Sequence, residues 1–283
     1  MREFEPSRTA MTVAMLRAAH QIMDTPRVFE DDLAVSILGE HAQPMLRSLI
    51  GAADDEIESI SLRAFLAARS RHAEDCIARA VQGGIEQCII LGAGLDTFAY
   101  RCTDARLRIF EVDHPATQAW KRTRLLGENI PVPASLAFVP VDFAQTSLEQ
   151  ELIKAGWDAA RPSVISWLGV VQYLTRDTTM KMLAFVASMP PGSEIVFDYA
   201  ISPDLMNAAQ KKYFETLQPR LAASGEPLQT CFDPAALVAA LEALGFGAVE
   251  DVAPDRLNAL YFRGRADGLR TMTTISHIIR ARV

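Results

Sequence analysis

Two glycines, and an acid about twenty residues further along the chain, have the spacing of a nucleotide-binding site. Gly92 and Gly94 directly follow the apolar run from Gln87 to Leu91. An apolar run of this length that ends in glycines is typical of a buried parallel strand entering a tight turn. Glycines let the backbone turn sharply and approach a ligand, because no Cβ stands in the way. The segment therefore predicts the first strand and first loop of a nucleotide-type site.

A second strand pattern, Leu107 to Asp113, ends in a carboxylate where such folds place an acid on a pair of ribose hydroxyls. The dinucleotide fingerprint G-x-G-x-x-G needs a third glycine, and this sequence has Thr97 in that place. A strand, a GxG turn and a distal acid without that glycine suit S-adenosylmethionine (SAM) better than NAD, because no pyrophosphate has to be cradled. Asp113 could instead cap the helix that begins at Pro115, a role that Asp often fills.

The elements that must position these residues alternate between strand and helix from Gln87 onward. This alternation predicts βαβ crossovers and an α/β fold with a mostly parallel sheet. The predicted strands are 87–91, 107–112, 136–141, 163–168, 194–199 and 247–252, with a late strand, parallel or antiparallel, within 271–283. The predicted helices of this part are 116–126, 147–155, 176–188, 203–223 and 233–244.

The residues before this alternation are predicted to be helical throughout. Apolar positions at helical spacing indicate helices over 7–23, 31–39 and 55–81, and Gly83-Gly84 ends the last of them. We interpret them as a cap over the site plus one helix that flanks the sheet. Because no linker or repeat interrupts the chain, one domain is predicted over 1–283, with the cap and flanking helix in 1–84 and the α/β core in 85–283.

The composition excludes several classes of function. The chain has 283 residues, 49% of them apolar, and a net charge of −7 without a basic stripe, which argues against nucleic-acid partners. No apolar segment approaches the roughly eighteen residues of a membrane span, and the charged start lacks the apolar core of a signal peptide. The four cysteines have no CxxC spacing, so we expect reduced thiols, no metal site and a cytoplasmic protein.

Several motifs in order along the chain resemble the leucine carboxyl methyltransferase family. The resemblance is closer to its bacterial SAM-dependent branch, which includes natural-product O-methyltransferases. The matching motifs are LGAGLDTFAYR, FEVDHP, VPVDF, WLGVVQYLT and PPGSEIVFDY, with the opening SRTAMTVAMLRAAH and the late YFRGRADGL. They span nearly the whole chain. The resemblance implies a Rossmann-like, seven-stranded methyltransferase sheet with an N-terminal helical cap, and SAM as the cofactor.

The resemblance also implies roles for individual residues. Gly92 and Gly94 match the loop beneath the methionine part of the cofactor. Asp113 matches the acid that binds the ribose hydroxyls, which is the chemistry that a carboxylate acceptor provides. Asp142 and Phe143 match an acid and apolar neighbour that receive the adenine: the acid accepts from the exocyclic amine, and the neighbour contacts the ring.

An arginine on the last N-terminal helix is implied for the carboxylate of the cofactor. Arg69 and Arg71 both qualify, and Arg71 is slightly favoured. Eukaryotic members of the family place a glutamate, which can pair with the ammonium of the cofactor, where this sequence has Leu168. The amine therefore needs another acceptor, and the likeness to enzymes that act on protein tails is weakened. No catalytic residue is certain; Tyr173 is a candidate for positioning the acceptor, although strand-end tyrosines as often only pack.

These patterns predict methyl transfer from SAM to an oxygen of a small-molecule acceptor, with a carboxylate preferred and a phenol left open. A carboxylate is ionised at neutral pH, so the protein needs to supply proximity and alignment but no general base. His114, next to Asp113, is expected to begin a helix and not to act as a base. We expect residues from Met15 to His20 to close over the acceptor. A SAM-binding regulatory protein without transferase activity is the alternative, and a nicotinamide dehydrogenase is disfavoured by Thr97.

Overall fold

Seven strands form one sheet in this computed structural model, which describes residues 8–52, 57–142 and 146–283. The strands are β1 (Gln87–Leu91), β2 (Arg108–Asp113), β3 (Leu136–Pro140), β4 (Val164–Trp167), β5 (Glu194–Ala200), β6 (Ala248–Val252) and β7 (Ser276–Arg282). Their spatial order is β3-β2-β1-β4-β5-β7-β6. β7 is antiparallel to both of its neighbours, and the other pairs are parallel. The predicted mostly parallel, seven-stranded α/β fold is confirmed.

The position of β1 creates the place where a ligand can bind. β1 pairs with β2 on one side and with β4 on the other. All five of its residues are buried, as its apolar run predicts. Because the strand order reverses between β1 and β4, the loops that follow these two strands leave a crevice at their carboxyl ends.

Helices precede the sheet in the chain and connect its strands. They are α1 (Arg8–Met23), α2 (Gln43–Ala52), α3 (Ile57–Gln82), α4 (Phe98–Arg101), α5 (Pro115–Gly127), α6 (Leu148–Lys154), α7 (Arg176–Ala187), α8 (Ala208–Ala223), α9 (Pro234–Leu244) and α10 (Pro254–Tyr261). Side-chain caps set the starts of α6, α7 and α9, at Ser147, Thr175 and Asp233. None of the described helices has the length and apolar character needed to cross a membrane.

The predicted helix over 31–39 is wrong. The structure has only a 3-10 turn there, Ser36–Leu38. The carboxylate of Asp31 accepts hydrogen bonds from the amide of Leu33 and from the distant hydroxyl of Thr97. Asp31 is therefore held by a residue that is distant in the sequence, Thr97, and the segment does not form the helix that its local pattern indicates.

Other differences concern helix boundaries and short helices. The helix predicted over 203–223 begins at Ala208, because Asn207 and Gln210 form a reciprocal capping box. Helices α2, α4 and α10 were not predicted, and β7 is shorter than the region within which it was expected. α2 directly follows a 3-10 turn, Glu40–Ala42, which Gly39, with a positive φ of 74°, separates from the 3-10 turn Ser36–Leu38.

The N-terminal region is helical, as predicted. α3 packs against β4 and β5, and α1 packs against α2 and α3. The small inner face of α1, with Ala14 and Ala18, shares an apolar core with Leu95 and Leu125. Leu95 lies in the loop after β1, so the cap helix is packed directly against the predicted cofactor loop.

Candidate functional site

The loop after β1 turns on two glycines with positive φ. Gly92 has a φ of 67° and Gly94 a φ of 46°. A Cβ on Gly92 would lie 2.4 Å from Val170 Cγ2, and a Cβ on Gly94 would lie 3.2 Å from the Cβ of Ala10. Gly92 is therefore required both by its backbone conformation and by the close approach of the loop after β4.

The carboxylate of Asp113, at the end of β2, holds this loop. Oδ2 accepts the amide of Gly94 at 2.5 Å, and Oδ1 accepts the amide of His114 at 2.7 Å. Burial raises the pKa of the Asp113 carboxyl, and the two amides oppose that rise. Since a carboxylate offers about four lone-pair positions, two remain for donors from a ligand. His114, and not Asp113, caps α5, with its Nδ1 accepting the amide of Ala116 at 3.2 Å.

A second acid lies beside Asp113, at the end of the neighbouring strand. Asp142 comes two residues after β3, and the amide of the preceding residue, Val141, donates to the Asp113 carbonyl at 2.9 Å. Ser147 caps α6, so Asp142 is not the cap of that helix. Phe143 lies outside the described residues. Asp113 and Asp142 thus lie at the ends of adjacent strands. They are two of the three residues that the sequence analysis expects at the ribose and adenine.

The two candidate arginines have different surroundings. Arg69 is buried, and its Nη1 donates to Asp198 Oδ2 on β5 at 3.0 Å. The side chain of Arg71 is 50% exposed and pairs with Asp75 one helical turn further on. The fold therefore brings Arg69 to the carboxyl ends of the central strands and leaves Arg71, the residue favoured by the sequence analysis, on the outside of α3.

Gly169 and Asp198 complete this side of the site, and sequence reasoning missed both. Gly169 follows β4 with a φ of 69°, and its amide donates to Asp198 Oδ1 at 2.6 Å. A Cβ there would lie 3.0 Å from Arg69 Nη1. Leu168 packs against an apolar cluster that includes residues of α1, α3 and β5. The signal for Asp198 was its place inside the apolar strand EIVFDYA, because a buried acid needs polar partners.

Thr97, which stands where a third glycine was sought, joins the loop to the N-terminal region. It is 1% exposed, and its hydroxyl donates to Asp31 Oδ2 at 2.7 Å. Arg17 of α1 lies 2.8 Å from the same carboxylate oxygen and donates to the Leu95 carbonyl at 2.6 Å. Polar side chains thus attach the cap helix to the glycine loop.

The segment from Met15 to His20 is largely buried in the interior of the fold. His20 is fully buried; its Nδ1 lies 2.7 Å from Asp24 Oδ2, and its Nε2 accepts the amides of Val28 and Phe29. The first turn of α1 also reaches the glycine loop, where Ala10 faces Gly94.

Tyr173 lies on the same side of the site, at the end of the 3-10 turn Val171–Tyr173. Burial raises the pKa of its phenol to about 12, and the charges of Glu226 and Asp198 act in the same direction. The phenol is therefore neutral at physiological pH, so it can donate a hydrogen bond but does not act as a base. Glu226 also accepts the backbone amide of Thr9, in the first turn of α1, at 3.0 Å.

The described residues contain no cluster of three or more His, Cys, Asp or Glu side chains suited to holding a metal ion. All four cysteines are free, and Cys76 and Cys88 are buried. Burial raises the pKa of Cys76 to about 11 and raises that of Cys88 as well, so both thiols are protonated at neutral pH. This agrees with the expectation of reduced, packed thiols.

The fold and the site together define the Rossmann-like class of SAM-dependent methyltransferases. The defining features are the sheet with antiparallel β7, the glycine turn after β1, and the acids that follow β2 and β3. Within this class, the chain belongs to the leucine carboxyl methyltransferase family, whose model matches residues 10–187.

Individual relatives agree with this assignment. A Bacillus subtilis protein, named as a proposed S-adenosyl-L-methionine-dependent methyltransferase, is 34% identical over 98% of this chain and 98% of its own length. A Mycobacterium tuberculosis protein with the same description is 31% identical over 77% of this chain and 71% of its own length. Among solved structures, a DUF574 family protein from Streptomyces avermitilis has a TM-score of 0.62 at 16% identity, covering 99% of this chain and 98% of that one. That likeness shows the fold.

The side chains at the strand ends fit the cofactor of this class. A Cβ on Gly92 would meet Val170 and a Cβ on Gly169 would meet Arg69, so these glycines let the glycine turn, the loop after β4 and Arg69 lie close together. Among the described residues, two amides bond the Asp113 carboxylate, and such a group can accept further hydroxyl donors. Among the described residues, the buried Nε of Arg69 finds no hydrogen-bond acceptor, which leaves a donor for an anionic group.

Proposed function

We propose that this chain transfers a methyl group from SAM to an oxygen of a small-molecule acceptor, and that this oxygen belongs to a carboxylate. The observation that supports a carboxylate is the state of the candidate bases. His114 is engaged as a helix cap, and Tyr173 is neutral, with a pKa of about 12. His20 has both ring nitrogens engaged, Nδ1 with Asp24 and Nε2 with the amides of Val28 and Phe29. A carboxylate acceptor is ionised at neutral pH and needs no base.

Roles in cofactor binding follow from the placement of each side chain. The Gly92–Gly94 turn would lie under the methionine part, and Asp113 would accept from the ribose hydroxyls. Asp142, with Phe143, would receive the adenine. Arg69, and not Arg71, would bind the carboxylate, because it is the arginine that reaches the strand ends.

When bound, SAM would supply the methyl group of its sulfonium: a C–O bond to the acceptor oxygen would form as the S–CH3 bond breaks, which gives the methyl ester and the thioether S-adenosylhomocysteine. The contribution of the chain is alignment and the exclusion of water. The first turn of α1, next to Gly94, would close one side of the site. The neutral hydroxyl of Tyr173 would donate to the acceptor and hold it in line. We further propose that the chain works as one domain in the cytoplasm.

Transfer of label tests this proposal. The purified chain is incubated with methyl-labelled SAM and panels of small carboxylic acids, phenols and amines. We expect label in the methyl ester of a carboxylic acid. This product should release labelled methanol in alkali, because methyl esters are base-labile. Label in a phenol or an amine would contradict the carboxylate assignment. Tight SAM binding without transfer to any panel would favour the regulatory alternative.

A variant of Tyr173 tests the positioning role. Tyr173→Phe should raise the KM for the acceptor and leave the affinity for S-adenosylhomocysteine unchanged, because only the hydroxyl is removed. Tyr261→Phe, on α10, removes a hydroxyl that bonds His72 and Asp75 and serves as the matched control. Equal KM values in wild type and Tyr173→Phe would remove Tyr173 from the acceptor site.

A further inference from the structure

Arg69 and Asp198 form an ion pair that is buried at the carboxyl ends of the central strands. Arg69 is 6% exposed and Asp198 is 1% exposed, and Nη1 lies 3.0 Å from Oδ2. Removing two charges from water costs more than their attraction commonly returns, so packed apolar residues would often be equally stable. A charged pair at this position therefore favours a role in binding over a purely stabilising one.

Both members of the pair have hydrogen-bonding capacity left. Arginine carries five N–H donors, and the buried Nε of Arg69 finds no acceptor among the described residues. Asp198 accepts one bond at each oxygen, from Arg69 Nη1 and from the Gly169 amide, out of about four lone-pair positions. An unused positive donor and unused negative acceptor positions therefore lie side by side.

The pair borders the glycine loop. Asp198 holds the amide of Gly169, and the next residue, Val170, is the one that a Cβ on Gly92 would strike. The side chain of Leu168 is apolar and packs toward α1 and α3, so it supplies no carboxylate to this side. Arg69 and Asp198 therefore lie beside the loop that approaches the glycine turn.

We propose that Arg69 and Asp198 form a clamp for a zwitterionic amino-acid group, in which Arg69 binds the carboxylate and Asp198 binds the ammonium. The two opposite charges of such a group match the two charges of the pair. The inference rests on the proposed function and deepens it. It assigns an acceptor for the ammonium of the cofactor, and the apolar side chain of Leu168 cannot provide one. Asp198 is thereby a binding residue and not only a support for Arg69.

Three ligands separate these roles by calorimetry. S-adenosylhomocysteine carries both charges, its decarboxylated analogue keeps only the ammonium, and methylthioadenosine has neither. Asp198→Asn keeps the acceptor for Gly169 and removes the charge. It should bind S-adenosylhomocysteine and the decarboxylated analogue at least about tenfold more weakly than wild type. Its affinity for methylthioadenosine should stay within about twofold, which also shows that the site is folded.

The decarboxylated analogue decides between the two roles of Asp198. If Asp198→Asn weakens S-adenosylhomocysteine but not this analogue, Asp198 only positions Arg69, and the ammonium assignment is overturned. If Asp198→Asn binds all three ligands more weakly than wild type, the double variant Arg69→Met/Asp198→Asn is measured instead. It leaves no unpaired charge. That variant should bind methylthioadenosine as wild type does and lose the preference for S-adenosylhomocysteine; a retained preference overturns the clamp.

The wild-type chain separates the clamp from the proposed function. Wild type that binds methylthioadenosine as tightly as S-adenosylhomocysteine overturns the clamp and leaves the methyltransferase proposal in place. Wild type that binds none of the three ligands overturns the proposed function, and the clamp with it.

Discussion

The hydroxyl of Thr97 donates to Oδ2 of Asp31 across 2.7 Å, and both side chains are buried. Thr97 belongs to the loop after β1, and Asp31 belongs to the segment after α1. In dinucleotide sites, a glycine at the place of Thr97 allows a helix to pack closely on its strand. Here a threonine at that place links the predicted cofactor loop to the cap through a side-chain hydrogen bond.

Removing this hydroxyl should destabilise the fold and loosen the loop. Thr97→Val deprives Asp31 of a donor and Arg101 of an acceptor, and losses of this kind cost about 1–3 kcal/mol. Urea unfolding measures the loss, with Thr123→Val as the control because its hydroxyl bonds an exposed carbonyl of its own helix. The control should change the free energy of unfolding by less than about 0.5 kcal/mol. Equal losses would contradict the proposed link.

Gly92→Ala should damage the site more than a glycine with the same backbone strain and open surroundings. Gly225 has a φ of 81° and nothing within 4 Å of a built Cβ, whereas the Cβ at Gly92 would strike Val170. Both substitutions should lower the free energy of unfolding by about 1–2 kcal/mol, because alanine is strained in the left-handed backbone conformation. Gly92→Ala alone should lose more, together with affinity for S-adenosylhomocysteine. Identical unfolding and binding in the two variants would show that the contact with Val170 is unimportant.

Asp113→Ala should weaken the binding of S-adenosylhomocysteine by more than tenfold. Each bond to a charged acceptor is worth roughly 1.5–3 kcal/mol, and the variant also releases the amide of Gly94. Calorimetry measures the loss, and Asp177→Ala, on the exposed surface of α7, is the control. Unchanged affinity in a folded Asp113→Ala chain would remove this residue from the site.

Asp142→Asn should alter the preference for adenine. Wild type should favour S-adenosylhomocysteine over S-inosylhomocysteine, in which an oxygen replaces the adenine amine. An asparagine amide can donate to that oxygen, so the preference should fall by about tenfold. Phe143→Ala should weaken both ligands alike, since it would remove only ring contacts. If Asp142→Asn keeps the preference of wild type, Asp142 does not contact the amine.

Glu74 should make the stability of the fold depend on pH. Burial raises the pKa of its carboxyl from an ordinary value of 4.5 to about 7, although the guanidinium of Arg101 opposes the rise. Between these values the folded chain holds more protons than the unfolded chain, so the stability that Glu74 contributes falls as the pH rises. Unfolding between pH 4 and 8 should therefore show a smaller decrease for Glu74→Gln than for wild type. An unchanged slope, as expected for the control Glu149→Gln on the exposed side of α6, would contradict this account.

Local patterns were sufficient to predict most of the fold. The apolar run of β1, its glycine turn and the acid that ends β2 are adjacent in the chain, and their spacing alone indicates a strand, a loop and a second strand. The helix predicted over 31–39 is wrong for the opposite reason. The partner of Asp31, Thr97, is 66 residues away, and no local periodicity reports such a contact.

The amino-acid sequence is enough to predict the α/β class, the glycine turn and the position of Asp113, because each depends on neighbours within a few residues. Only the packing of the folded chain shows which arginine lies at the carboxyl ends of the central strands. Arg69 and Arg71 share one helix but lie about 200° apart around its axis, so only the packing of α3 on β4 and β5 distinguishes them. That packing buries Arg69 next to Asp198, 129 residues further along the chain, and leaves Arg71 in solvent.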